Sequence, residues 1–127
     1  MGDVVLDASA VLAHLLGEPG GEGVEAVIAN AVISAVNLAE VAQRLIETGA
    51  SDAEALAVVE NLPCDVASLD AAAAVQVALL RRATSVRGLS LGDRACLALG
   101  KRLGLPVYTA DRAWAELDLG VEVVLIR

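Results

Sequence analysis

Short apolar runs alternate with segments of helical periodicity along this chain, and this alternation limits the possible folds more than any other feature. The predicted strands are residues 3–7, 31–34, 64–68, 106–109 and 121–126. The helical patterns are residues 8–16, 22–30, 37–48, 51–61, 70–83, 90–103 and 111–117, and residues 84–88 are predicted as a loop. Strands separated by helices predict a parallel sheet covered by helices on both faces. In such sheets, ligands bind beyond the carboxyl ends of the strands.

Length and composition predict one domain spanning residues 1–127, because a chain of this size has room for a single core. Hydrophobic residues make up 57% of the chain and phenylalanine is absent, so we expect an aliphatic core. Cys64 and Cys96 lack the spacing of a zinc site or a disulfide framework, which predicts buried thiols in a reducing compartment. No apolar run is long enough to span a bilayer, which favours a cytoplasmic protein without a membrane partner.

Charge is distributed unevenly along the chain. The net charge of −8 argues against non-specific attraction to nucleic acid. Residues 1–80 carry twelve acidic side chains and one basic side chain, whereas residues 81–112 carry seven basic and two acidic ones. Four of these cations end predicted helices, where they complement the helix dipole: Arg81, Arg82, Lys101 and Arg102. The other three do not, and they are the candidates for contacting an anionic partner: Arg87, Arg94 and Arg112.

Four acidic residues occupy positions that a parallel sheet brings to one edge. Asp7 ends the first strand, Glu40 and Asp93 lie near the starts of helices, and Asp111 follows a later strand. Carboxylates that converge in a cleft repel one another unless a cation lies between them. Oxygen ligands without histidine or cysteine favour Mg²⁺ or Mn²⁺ over zinc, and such a site suits phosphodiester hydrolysis.

Taken singly, these acids also have structural explanations. Asp93 lies three residues after Ser90, the spacing of a capping box, and Asp111 fits a helix N-cap. Glu40 and Arg44 have the spacing of a helical ion pair. The acid that ends the first strand could likewise cap the helix that follows, although a carboxylate closing a buried apolar strand is unfavourable without a partner.

Four segments together resemble one known family, the PIN-domain ribonucleases, and in particular the VapC-type toxins of type II toxin-antitoxin pairs. They are "VVLDASAVLAHLL", "AVISAVNLAEVAQRL", "GLSLGDRACLALGKRLGLPVYTADRAW" and "VEVVLIR", in the order found in the family. The resemblance covers essentially the whole chain. It implies a PIN-like three-layer α/β fold, with a five-stranded, mostly parallel sheet flanked by helices. It also implies a Mg²⁺-dependent endoribonuclease, with Mn²⁺ as a substitute, that leaves 5′-phosphate and 3′-hydroxyl ends.

The resemblance assigns roles to residues at matching positions. The catalytic acids would be Asp7, Glu40, Asp93 and Asp111, with Asp7, Asp93 and Asp111 as metal ligands. Residues that support the acids or orient substrate would be Ser9, Asn37 and Thr109, although an asparagine in the first turn of a helix is often only a local cap. The implied partners are an RNA substrate, a cognate antitoxin protein and a second copy of the chain. Arg87, Arg94 and Arg112 are the predicted RNA contacts.

Two other functions stay open at this point. A haloacid-dehalogenase-type phosphatase also begins with a strand ending in aspartate, but its chemistry requires a second acid where this chain has Ser9. A non-catalytic interaction module would use the same acids only as helix caps. The lone His14 is interpreted as structural. Trp114 is interpreted as a packing residue, with stacking on a base as the alternative.

Overall fold

The structure, a computed structural model, describes residues 2–127 apart from the side chain of residue 86. Its strands are β1 (Val4–Leu6), β2 (Ala31–Ser34), β3 (Asp65–Ala67), β4 (Val107–Thr109) and β5 (Val123–Leu125). Its helices are α1 (Ala8–Leu16), α2 (Gly21–Glu25), α3 (Ala35–Glu47), α4 (Asp52–Glu60), α5 (Ala71–Leu79), α6 (Arg81–Thr84) and α7 (Leu91–Leu103). Turns of 3₁₀ helix lie at Ile28–Asn30, Ser85–Arg87 and Arg112–Glu116.

The strands form one sheet in the order β3-β2-β1-β4-β5, and neighbouring strands are parallel throughout. The chain moves outward from β1 to β3 and then returns through α5, α6 and α7 to β4, on the other side of β1. The strand order therefore reverses between β1 and β4, and a ligand crevice is expected beyond the carboxyl ends of these two strands. The predicted three-layer α/β fold is confirmed, with a sheet that is wholly parallel.

Side chains of β1 alternate between two hydrophobic clusters. Val4 and Leu6 pack in one cluster with Val11, whereas Val5 packs in the other with Leu97. Successive side chains of a strand point to opposite faces, so the two clusters lie on the two sides of the sheet. Both are mainly aliphatic, as the composition predicts. Trp114 is fully buried in the second cluster, which confirms its predicted packing role.

Capping boxes begin α4 and α7, as predicted. At α7, the Ser90 hydroxyl accepts a hydrogen bond from the Asp93 amide, and the Asp93 carboxylate accepts one from the Ser90 amide. Ser51 and Glu54 form the same arrangement at α4. The box at α7 places Asp93 in a defined orientation at the end of the helix that faces the crevice.

Some element boundaries differ from the prediction. The alanine-rich helix predicted over residues 70–83 is interrupted at Leu80, where the Thr84 hydroxyl donates a hydrogen bond to the Leu80 carbonyl. The segment 84–88, predicted as a loop, contains the 3₁₀ turn Ser85–Arg87, and the helix predicted over residues 111–117 is instead the 3₁₀ turn Arg112–Glu116. Side chains bond to the backbone beside these segments, at Thr84, Ser85 and Asp111, and hydrophobic periodicity does not encode such bonds.

Cys64 and Cys96 are buried free thiols, as predicted. Across residues 2–127, the helices are all too short or too polar to cross a membrane.

Candidate functional site

Asp7 lies directly after β1, beside the point where the strand order reverses. Its backbone amide donates to the Tyr108 carbonyl of β4, which holds the end of β1 against the neighbouring strand. Asp7 is only 5% exposed. A carboxylate in such a position needs hydrogen bonds or a cation to offset the loss of solvation.

Two hydroxyl groups supply hydrogen bonds to this carboxylate. The Ser9 hydroxyl donates to Oδ2 of Asp7 at 2.6 Å, and the Thr109 hydroxyl donates to the same oxygen at 2.9 Å. Both hydroxyl oxygens also accept backbone bonds, Ser9 from the Ala110 amide and Thr109 from the Asp111 amide, each at 3.0 Å. The network therefore joins the start of α1 to the end of β4 and orients Asp7.

Burial raises the pKa of Asp7 from 3.8 to about 6. The hydrogen bonds from Ser9 and Thr109 act in the opposite direction, because they favour the charged form. The negative charges of Asp93 and Glu40 raise the pKa further. In the described part of the chain, none of these three carboxylates forms an ion pair with a basic side chain. The three carboxylates therefore have no ion-pair partner within the described chain, although Arg44 lines the same cleft.

Glu40 projects from α3 and is held by its neighbour Asn37. Asn37 is fully buried, and its Nδ2 donates to Oε1 of Glu40 at 2.7 Å and to the Gly92 carbonyl at 3.0 Å. Asn37 is therefore more than a local cap, because it connects α3 to the first turn of α7. The ion pair predicted between Glu40 and Arg44 does not form, although both residues line the same cleft.

One cleft of about 320 Å³ brings together three of the four predicted acids, Asp7, Glu40 and Asp93. Asp111 is not among its lining residues; its Oδ1 instead caps the following 3₁₀ turn by accepting a bond from the Ala113 amide at 3.0 Å. Its connection to the other acids runs through its amide and Thr109. Three of the predicted acids thus line one cleft and the fourth lies outside it, and their gathering around a shared ion stays a prediction.

The acids of the cleft offer oxygen ligands, which suit a cation that keeps part of its hydration shell. Within residues 2–127, no three carboxylate, histidine or cysteine side chains stand close enough to form a direct coordination sphere. Mg²⁺ usually keeps several waters and binds only one or two carboxylates directly, and it prefers oxygen ligands. The donors fit such an ion, because one oxygen of each cleft acid accepts a bond within the protein and the other has no partner in the described chain.

The three predicted RNA contacts have different environments. Arg87 pairs with Glu116 at 2.6 Å on the surface. Arg94 is partly buried, and its Nη1 donates to the Val77 carbonyl of α5 at 3.4 Å, so this side chain is held against α5. Arg112 is exposed and has neither a hydrogen bond nor an ion pair through its side chain in the described structure. Of the three, Arg112 is the most available to an anionic ligand.

Sequence reasoning did not identify Gly92 as part of the site. Its backbone accepts the Asn37 hydrogen bond and lies against the Glu40 carboxylate. The only sequence signal was a glycine inside an otherwise strong helical pattern, directly before Asp93, in a place where alanine would favour the helix.

The family model for the PIN domain matches residues 4–119. The chain belongs to the PIN domain family. The family predicted from the four segments is thus confirmed, and the match argues against the phosphatase alternative. No curated protein matches this PIN domain significantly.

Solved structures with the same fold include components of toxin-antitoxin systems. A DNA-bound VapBC from Salmonella typhimurium matches with a TM-score of 0.76 and 20% identity, covering 100% of both chains. VapBC-5 from Mycobacterium tuberculosis, a member of the VapBC family, has 28% identity and a TM-score of 0.65, covering 98% of this PIN domain and 97% of that chain. VapC20 from the same organism, a toxin that cleaves the sarcin-ricin loop, has 17% identity and a TM-score of 0.72, covering 91% and 96%. The predicted likeness to VapC-type toxins is confirmed.

Proposed function

We propose that this chain, as a single PIN domain spanning residues 1–127, is a metal-dependent endoribonuclease toxin that a cognate antitoxin neutralises. The observation that carries the proposal is Asp7, a buried carboxylate at the point of strand reversal. It shares a cleft with Glu40 and Asp93, and in the described chain no basic side chain pairs with it. A site of this kind stores unfavourable negative charge that a divalent cation would relieve.

The proposed ion is Mg²⁺, with Mn²⁺ as a substitute, because its ligands would be oxygen atoms only. Asp7 and Asp93 would hold it directly, Asp111 would hold it through a bound water molecule, and Glu40 would complete the set of catalytic acids. A bound divalent ion polarises a phosphate and makes a water molecule a better nucleophile. Ser9 and Thr109 fix the orientation of Asp7, and Asn37 fixes that of Glu40. Asp111 lies outside the cleft, so its contribution would act through solvent or after substrate binds.

RNA is the proposed substrate, and its hydrolysis would leave 5′-phosphate and 3′-hydroxyl ends. One structural neighbour is a toxin that cleaves the sarcin-ricin loop, which supports this class of substrate. The net charge of −8 requires local cations to offset repulsion of the RNA backbone. The exposed Arg112, next to Asp111, is the best placed of the three predicted contacts.

The proposed partners are a cognate antitoxin and a second copy of the chain, in the cytoplasm. Structural neighbours described as toxin-antitoxin complexes support the antitoxin. Exposed apolar side chains offer surface for protein partners: Leu56 on α4, and Val75 and Leu79 on α5.

A non-catalytic interaction module is the second candidate, because Asp93 and Asp111 both cap the starts of helical segments. In that case the acids would serve only the fold. Divalent cations would then leave the stability of the protein unchanged.

The deciding experiment incubates the purified protein with RNA in Mg²⁺, in Mn²⁺ and in EDTA, and maps the cleaved ends. We expect cleavage with either metal and none in EDTA. Asp7→Asn should abolish cleavage while the fold persists, because it removes a charge and keeps the shape. Asp70→Asn is the control, since Asp70 is an exposed N-cap residue of α5. Undiminished metal-dependent cleavage by Asp7→Asn would refute the assignment.

A further inference from the structure

We propose that Gly92 is a positioning residue for Glu40, because the missing side chain of Gly92 provides the space that the Glu40 carboxylate occupies. The consequence for cleavage rests on the proposed nuclease function. The claim that the Glu40 carboxylate needs the space beside Gly92 is independent of that function.

The Glu40 carboxylate fills the volume next to the α-carbon of Gly92. A Cβ atom at residue 92 would stand 2.5 Å from Oε2 of Glu40 and 2.6 Å from both Cδ and Oε1. These separations are well below ordinary van der Waals contact, which begins at 3.4 Å. Any side chain at residue 92 would therefore displace the carboxylate.

The backbone conformation of Gly92 does not require glycine. The glycines with positive φ in the described chain are elsewhere, for example Gly17 and Gly104 at the ends of α1 and α7. Gly92 is buried inside the first turn of α7, where alanine is the better helix former. The reason for glycine at this position thus lies in packing, and the group packed against it is the Glu40 carboxylate.

Asn37 connects α3 to α7 at the place where Glu40 lies against Gly92. Its single Nδ2 group donates both to Oε1 of Glu40 and to the carbonyl of Gly92. Its Oδ1 is buried and has no hydrogen-bond partner among the described residues, which is unfavourable for a buried polar atom. The two bonds that Nδ2 donates are therefore the hydrogen bonds that this side chain forms within the described chain. Both bonds are made at the place where the Glu40 carboxylate lies against Gly92.

Gly92 immediately precedes Asp93, so the contact also sets the spacing between two acids of the cleft. A methyl group at residue 92 would push the Glu40 carboxylate away from α7 and break its bond to Asn37. The displaced atoms are the end of a flexible side chain, so the fold can persist while the site is altered. A loss of metal binding or of cleavage in Gly92→Ala would then result from the displaced Glu40 carboxylate and not from unfolding.

The test compares Gly92→Ala with Gly23→Ala, a matched control in α2 where an added Cβ meets nothing within 4 Å. Nuclear magnetic resonance of ¹⁵N-labelled protein in EDTA monitors the side-chain amide of Asn37. We expect its signals to shift, and its protons to exchange faster, in Gly92→Ala alone. Both variants should stay folded. Gly92→Ala should bind Mg²⁺ about 10-fold more weakly than wild type, because the displaced Glu40 carboxylate adds less negative charge and fewer water contacts beside Asp7 and Asp93, and disturbing the groups around a metal site typically has an effect of this size.

A double variant tests whether the effect passes through Glu40. Glu40→Asp shortens the side chain and leaves room for a methyl group at residue 92. Adding Gly92→Ala to Glu40→Asp should change the Mg²⁺ affinity and the cleavage rate by less than about twofold, in contrast to the roughly 10-fold loss expected in the wild-type background. An equal loss in both backgrounds would overturn the proposal.

The other outcomes are also decisive. Unchanged Asn37 amide signals in Gly92→Ala would overturn the positioning role, whatever the activity. If the wild-type protein neither binds Mg²⁺ nor cleaves RNA, the nuclease function fails, and the resonance experiment still decides whether Gly92 positions Glu40.

Discussion

The hydroxyl of Thr109, at the end of β4, donates a hydrogen bond of 2.9 Å to Oδ2 of Asp7, at the end of β1. The two residues are 102 positions apart in sequence, and Thr109 is fully buried. Strand pairing between β1 and β4 creates this contact, because the Asp7 amide bonds to the carbonyl of Tyr108. The Thr109 hydroxyl also accepts a hydrogen bond from the backbone amide of Asp111, so it contacts both Asp7 and Asp111 at the carboxyl end of β4.

Thr109→Val should therefore weaken the site while preserving its shape. We expect a loss of about 1–2 kcal/mol in the free energy of unfolding at pH 7, since the buried carboxylate loses a donor and the Asp111 amide loses an acceptor. Mg²⁺ affinity should fall about 10-fold. Urea unfolding and calorimetric titration with Mg²⁺ measure the two effects. Thr48→Val is the control, because the exposed Thr48 bonds only to a backbone carbonyl of its own helix; an equal loss of Mg²⁺ affinity there would contradict the prediction.

The raised pKa of Asp7 makes stability depend on pH. The native state holds a proton on Asp7 up to about pH 6, whereas the unfolded chain releases it near 3.8. In this window the native state binds more protons, so the free energy of unfolding falls as pH rises. The difference amounts to about 3 kcal/mol when complete.

Asp7→Asn cannot release that proton, and it should become more stable than wild type as pH rises from 4 to 7. We expect the stability difference between the two proteins to grow by up to about 3 kcal/mol over this interval, in EDTA and by urea unfolding at each pH. Subtracting the two curves removes the contribution of the other acids. A difference that stays constant with pH would show that Asp7 ionises normally.

The sequence was sufficient to predict the features that depend on local chemistry. The strand at residues 31–34, the capping boxes of Ser51 and Ser90, and the place of Asp7 at the end of a buried strand all follow from side-chain type and short spacing. The convergence of Asp7, Glu40 and Asp93 followed from topology, since the carboxyl ends of parallel strands share one edge.

Features that depend on packing between distant elements could not be predicted. Glu40 bonds to Asn37 instead of pairing with Arg44, because Asn37 also reaches the Gly92 carbonyl of α7. Arg94 is held against α5, a contact that no spacing rule indicates. Asp111 has the expected cap but lies outside the cleft, since that depends on the direction of the chain after β4.

The stabilisation of the protein by Mg²⁺ should depend strongly on Asp93 and only weakly on Asp111. Both can be changed to asparagine, which removes charge and keeps an acceptor for capping. At a Mg²⁺ concentration 100 times its dissociation constant, the wild-type protein should gain about 2.7 kcal/mol of stability. Asp93→Asn should lose most of this gain, whereas Asp111→Asn should keep most of it, because only Asp93 lines the cleft.

Thermal unfolding with and without Mg²⁺ measures both variants, and Asp70→Asn is again the control for removing an N-cap charge. Equal losses in Asp93→Asn and Asp111→Asn would mean that Asp111 moves into the cleft when metal binds. No gain in any protein, wild type included, would favour the interaction module.

The three candidate arginines should differ in their effects on RNA affinity. Arg112→Gln should weaken binding of a single-stranded RNA and lower the salt dependence by about one charge, because the side chain is exposed and unpaired in the described structure. Arg87→Gln should have a smaller effect, since Glu116 already neutralises Arg87. Glu116→Gln should instead strengthen binding, because it frees Arg87 and removes a negative charge.

Fluorescence anisotropy of labelled RNA in EDTA, over a series of salt concentrations, measures the affinities without cleavage. Arg127→Gln is the matched control, since Arg127 bonds to the Pro19 carbonyl and lies 3.8 Å from Glu18. Equal effects of Arg112→Gln and Arg127→Gln would indicate a response to net charge alone and would exclude Arg112 as a specific contact.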